Sequence, residues 1–107
     1  MQLKFGSQKI SIKVVGLKYG AKVPTGTTVK LIEDNENKFD TDAVKVVTMD
    51  GEFVGFVANN KKGTLKNKFY KNFKSATDIR KLVNLKNTLV CGNLNTKGGY
   101  GLMTVSI

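Results

Sequence analysis

Seven of the eight acidic side chains in this 107-residue chain fall in one stretch: Glu33, Asp34, Glu36, Asp40, Asp42, Asp50 and Glu52. Gathered around a divalent cation, carboxylates of this kind would perform nuclease or calcium chemistry. The spacing argues against both. Counted from Asp34, a calcium loop would carry Glu36, Lys38 and Phe39 at its third, fifth and sixth positions, without the glycine that its turn requires. For a nuclease, Asp50 belongs to a turn, Glu52 opens the next strand, and no lysine follows at a matching distance. Turn-forming and solvated acids are the simpler account. With no His there is no Ser-His-Asp or Cys-His machinery and no imidazole metal ligand. A single cysteine, Cys91, excludes an internal disulfide, and its apolar surroundings, LVCGNL, suggest a buried small side chain. Phosphate-loop order is reversed, as Lys62-Gly63 and Lys97-Gly98. The expectation is a non-enzymatic chain with no catalytic residues, no metal and no cofactor.

A different chemistry is better represented. Lys18-Tyr19 lies in a turn, Lys38-Phe39-Asp40 in a polar loop, and Tyr100 in a glycine-rich loop beside Lys97. An aromatic ring held in a polar loop offers a face to an unpaired base, a contact of roughly 1–3 kcal/mol. Phe39 has two readings at this point: a stacking ring, or an anchor tucked into the core. The formal net charge is +10. Residues 1–32 contribute +6, residues 33–52 contribute −5 and residues 53–107 contribute +9. Such an excess attracts polyanions, because Lys and Arg displace counterions condensed on phosphates. Nucleic acid is the first partner this implies. Neither a basic amphipathic helix nor an apolar run of membrane-spanning length is evident. The N-terminal stretch alternates polar and apolar residues and lacks a signal-peptide core, so a cytoplasmic location is expected.

The elements that must position these residues are short. Ile10, Ile12 and Val14 alternate with Lys9, Ser11 and Lys13, the period of a half-buried strand. Gly16 and Gly20 bracket a turn, and Pro24-Thr25-Gly26 marks a second one. Further strands are expected at Val29–Leu31, Ala43–Thr48, Phe53–Val57, residues 88–94 and residues 102–107. Asp50-Gly51 signals a type I′ hairpin. Leu65, Phe69 and Phe73, four apart, predict a helix capped by Asn59 or Asn60, with Gly63 weakening its first turn. A shorter helix starting at Thr77 or Asp78 would carry Ile79, Leu82 and Val83. No repeat or linker is seen, and at about 100–200 residues per domain the chain is one domain, 1–107. The expected architecture is mainly β: a small, partly open barrel of OB or SH3-like type, with one or two helices inserted after the fifth-strand region.

The order of these pieces resembles the HIRAN domain. Val15-Gly16-Leu17-Lys18-Tyr19 is followed by Val29-Lys30-Leu31, then by the run Glu33–Val46 containing Asn37-Lys38-Phe39-Asp40 and Ala43-Val44-Lys45-Val46. Gly51-Glu52-Phe53-Val54-Gly55-Phe56-Val57 completes the pattern. The likeness covers about residues 10–65, and the C-terminal third matches in outline. It implies an OB-like barrel that binds DNA, with a preference for single-stranded 3′ ends, as a free-standing bacterial or phage protein in repair or replication. By position, Lys18 would meet phosphate, Tyr19 would stack or bond near the terminal nucleotide, Phe39 would pack on base or sugar, and Phe56 would line the pocket. Asp40 would accept a hydrogen bond from a free 3′-hydroxyl. Lys18 stands where arginine is usual, and Phe39 where tyrosine is usual. With Lys97 and Tyr100 from the glycine-rich loop, these seven form the expected nucleic-acid-binding set. Two other readings remain. One is an interaction domain docking on a helicase or nuclease; the other is a metal-dependent nuclease using Asp40 and Asp42.

Overall fold

The computed structural model describes residues 8–59 and 73–107. Six strands form an antiparallel barrel in the order β1-β4-β3-β2-β5-β6, and the barrel is closed. They are β1 (Lys9–Val15), β2 (Thr27–Glu33), β3 (Val44–Thr48), β4 (Phe53–Val57), β5 (Cys91–Lys97) and β6 (Tyr100–Ser106). Helix α1 (Ala76–Leu82) follows β4, so among the described residues the helical insertion comes after the fourth strand.

Period-2 patterning decides which face of each strand is inside. Ile10, Ile12 and Val14 of β1, Val29 and Leu31 of β2, Val44 and Val46 of β3, and Met103 and Val105 of β6 meet in one buried cluster. The same parity corrects the expectation for Cys91. Inward positions on β5 go to Gly92 and Leu94, so the neighbouring Cys91 faces outward and is exposed. At Gly92 a side chain would lie 2.5 Å from the Thr104 carbonyl oxygen, so this inward position needs glycine. The strand itself begins at Cys91, later than residue 88, and runs on to Lys97.

The barrel closes along a short seam. β1 pairs with β4 only through Val14↔Val57 and Val15↔Phe56, against six pairs between β1 and β6. A side chain on Gly55 would come within 2.7 Å of the Val15 carbonyl oxygen, so the seam depends on a bare backbone there. The β3–β4 hairpin stands where expected but is not a type I′ turn, because among its central residues only Gly51 has positive φ. Gly51 N–H donates to Thr48 C=O, and Thr48 N–H donates to Glu52 C=O. This is a three-residue loop that ends in a left-handed glycine.

Helix α1 packs on the barrel core by burying Ala76 and Ile79 in the same cluster as Leu85 and Val90. Its cap is Ser75, so the helix begins at Ala76, one residue before Thr77, the earlier of the two expected starts. The Ser75 hydroxyl accepts from Asp78 N–H, while the Asp78 carboxylate accepts from Ser75 N–H, a reciprocal capping box. Val83 ends the helix instead of extending it, and Leu82 is left exposed. The helix expected at Leu65 and Phe69 lies outside the described residues. Phe73, at their border, is not helical; it makes an isolated parallel bridge to Ser11.

The turn after β1 is a single 3₁₀ turn, Leu17–Tyr19, entered through Gly16 at φ 72°. Gly20 leaves it in close contact with β4, where an added side chain would overlap the Val54 backbone. Gly20→Ala is therefore expected to lower unfolding free energy by about 1–3 kcal/mol. Gly99→Ala, at a site with open space, should stay within about 0.5 kcal/mol of the parent. Urea denaturation of both variants checks this.

Candidate nucleic-acid interface

The loop between β2 and β3 is built from side chains that bond their own backbone. Asp34 Oδ1 accepts from Glu36 N–H at 3.3 Å. Asn37 Oδ1 accepts from both Phe39 N–H and Asp40 N–H at 2.9 Å. Asp40 Oδ1 accepts from Asp42 N–H at 2.9 Å. Arg80, reaching over from α1, donates to Ala43 C=O at 2.7 Å and to Asn35 Oδ1 at 3.2 Å. The loop is therefore pinned along its length, and it presents Phe39 at 99% exposure. Of the two readings of Phe39, the structure places the ring outside the core. Burying a phenyl ring would gain about 1.5–3 kcal/mol, so its backbone bonds hold it where solvation alone would not favour it.

Asp40 is half-buried. Asn59 Nδ2 donates to Asp40 Oδ2 at 2.8 Å. The amide oxygen of Asn59 accepts from Thr77 N–H at 3.2 Å and from Thr77 Oγ1 at 3.0 Å. Thr77 Oγ1 also lies 2.9 Å from Asp42 Oδ2. One amide thus ties the acidic loop to the exit of β4 and to the first turn of α1. The sequence offers Asn59 or Asn60 as the cap of a helix that lies outside the described residues; within them, the Asn59 side chain bridges groups 18 and 19 positions away. Contacts across such separations leave no local signal. Among the described residues, no three His, Cys, Asp or Glu side chains are grouped so that they could hold a metal ion.

The second loop reaches the same strand. Phe56, half-buried, packs edge-on against Phe53 with ring centroids 5.0 Å apart. A side chain built on Gly16 would lie 3.6 Å from the Phe56 ring and 4.0 Å from the Tyr19 ring. Tyr19 is 74% exposed, and Lys18 Nζ sits 5.0 Å from its ring centroid. Phe56 and Asn59 are three residues apart, roughly 10 Å of extended chain. The Lys18-Tyr19 turn thus begins beside Phe56, and the Phe39-Asp40 loop is bonded to Asn59, three positions further along the chain.

Lys97 and Tyr100 lie on a third segment, the β5–β6 hairpin. They face each other across the β5–β6 hairpin, and Lys13 Nζ lies 5.0 Å from the Tyr100 ring centroid. Lys13 is a cation that the sequence presented only as one polar position of an alternating strand. Between the hairpin and the Lys18 turn lies an open cleft of about 490 Å³, lined by Gly16, Lys18, Lys22, Thr96, Gly98 and Gly99 among others. No helix among the described residues is long and apolar enough to cross a membrane.

No family profile and no curated protein matches the chain in sequence. Solved structures do match in shape. The HIRAN domain of human HLTF aligns with a TM-score of 0.57 at 23% identity, over 91% of this chain and 74% of that one. A protein from Lactobacillus plantarum aligns with a TM-score of 0.55 at 18% identity, over 94% of this chain and 95% of that one. Together with the closed antiparallel barrel, these likenesses show that the chain has a HIRAN-like fold.

Proposed function

We propose that this chain is a non-enzymatic DNA-binding module that takes a single-stranded segment or a 3′ end between its Lys18-Tyr19 turn and its Phe39-Asp40 loop. The observation that carries the reading is the pair of exposed rings, Tyr19 on the turn after β1 and Phe39 on a loop pinned by Asn37, with Asp40 of that loop bonded to Asn59 just beyond β4. Bases stack on such rings without regard to sequence. The net charge of +10 supplies long-range attraction to phosphates, and Lys18 stands beside Tyr19 to meet the backbone. Phe56 lies on β4 beside the Gly16 entry to the Tyr19 turn. A HIRAN-like fold and the resemblance in the Lys18-Tyr19 and Phe39-Asp40 segments point the same way.

Asp40 gives the reading its specificity. A carboxylate facing a polyanion is repelled unless it meets a donor, and a terminal hydroxyl is one. Its oxygens accept from Asp42 N–H at 2.9 Å and from Asn59 Nδ2 at 2.8 Å, which hold the carboxylate in place. Repair or replication is the setting in which such ends arise, and a helicase or nuclease is the kind of protein that would share them.

Three measurements test this. Tyr19→Ala and Phe39→Ala should each weaken single-strand binding by about 1–3 kcal/mol in an anisotropy titration; undiminished affinity in both would remove the stacking site. Asp40→Ala should weaken binding to strands with a free 3′-hydroxyl and leave binding to 3′-phosphorylated strands unchanged, whereas equal losses on the two would exclude end recognition. For a site neutralising about four phosphates, log affinity against log salt should have a slope near −3. A flat response would favour a protein partner instead.

A further inference from the structure

The cleft beside the Lys18 turn is not part of the two-loop site, yet it shares a wall with it. Gly16 and Lys18 line the cleft, and the same two residues approach Phe56 and Tyr19 on their other side. The opposite wall is the β5–β6 turn, Gly98-Gly99, with Thr96 beside it. Lys22 adds a second cation, and none of the described residues lining the cleft is acidic.

Both walls are held in place from behind. Ala21 N–H donates to Phe53 C=O at 2.8 Å, fixing the Lys22 segment to β4. Thr96 N–H donates to Thr25 Oγ1 at 3.0 Å, and Gly26 N–H donates to Leu94 C=O at 2.6 Å, fixing the hairpin to the Pro24–Gly26 turn. In the hairpin Gly98 has φ 65° while Gly99 has no positive φ, so only the first position needs glycine for its conformation. Gly99 nevertheless has nothing within 4 Å of where a side chain would start. The cleft therefore has two cations, bare glycine backbone on one side and an apolar base of Leu17, Ala21, Val23 and Val54, and its cationic, glycine-lined rim suits a phosphate that must approach closely.

We infer that this cleft seats a phosphodiester of the same DNA strand, between Lys18, Lys22 and the Gly98-Gly99 turn, so that the strand runs from the stacking rings over the Lys18 turn. The inference rests on the DNA-binding reading and extends it to a second contact that longer strands alone can reach.

Thymidine di-, tetra-, octa- and dodecanucleotides with free 3′-hydroxyls, titrated by anisotropy, separate the two ideas. The wild type should gain affinity with length. Lys22→Ala, which removes the charge, and Gly99→Leu, which fills the space, should each lose about three- to tenfold on the dodecanucleotide and nothing on the dinucleotide. Lys22→Ala should also make the salt slope shallower by about 0.7. If the wild type gains with length and both variants follow it, the cleft is off the path while the DNA-binding reading stands. Equal losses at every length also overturn the cleft. Failure of the wild type to bind any of the four removes both.

Discussion

The amide of Asn59 is the contact on which the rest of the site depends. It donates to Asp40 and accepts from Thr77, so a loop, a strand end and a helix start share one side chain. Each group it satisfies would cost about 1–3 kcal/mol if left buried without a partner. The bridge also has a geometric effect. β4 carries Phe56 three residues earlier, and Phe56 supports the Gly16–Tyr19 turn. Fixing Asn59 to Asp40 therefore ties the Phe39 loop to the chain that leaves β4.

The charge distribution takes on meaning once this bridge is in place. The acidic segment sits within an otherwise basic chain, which would seem to oppose binding of a polyanion. Much of that acidity is engaged locally. Asp34 and Asp40 bond backbone amides of their own loop, Asp42 meets Thr77, and Glu33 lies 3.9 Å from Arg80. These carboxylates shape a loop whose product is a projecting ring. Lys18 and Lys22, in the segment between β1 and β2, stand apart from this acidic loop in the sequence and line the open cleft.

Strand positions were legible because alternation of apolar and polar residues is a local signal, and Ile10–Val14 or Met103–Ile107 states it plainly. The Lys18-Tyr19 and Phe39-Asp40 segments were legible as candidates because cations and rings in polar loops have few structural uses. Four features were not. Cys91 looked buried because its neighbours are apolar, but parity is set by pairing with β2, where it stands opposite Lys30. The hairpin at Asp50-Gly51 gained a residue because Thr48 closes the loop through its own backbone. The role of Asn59 depends on Asp40 and Thr77, which only tertiary structure brings near. Whether Phe39 faces in or out was likewise undecidable from composition, since it depends on how Asn37 holds the backbone.

The central claim is that the two loops act as one binding surface. Amide chemical shifts during titration with a short thymidine strand test it most directly. The account predicts that Lys18, Tyr19, Phe39, Asp40 and the Asn59 side-chain amide move together along a single binding isotherm. Shifts confined to one loop, or gathered instead around exposed Leu82 and Leu89 on the helical side, would contradict it.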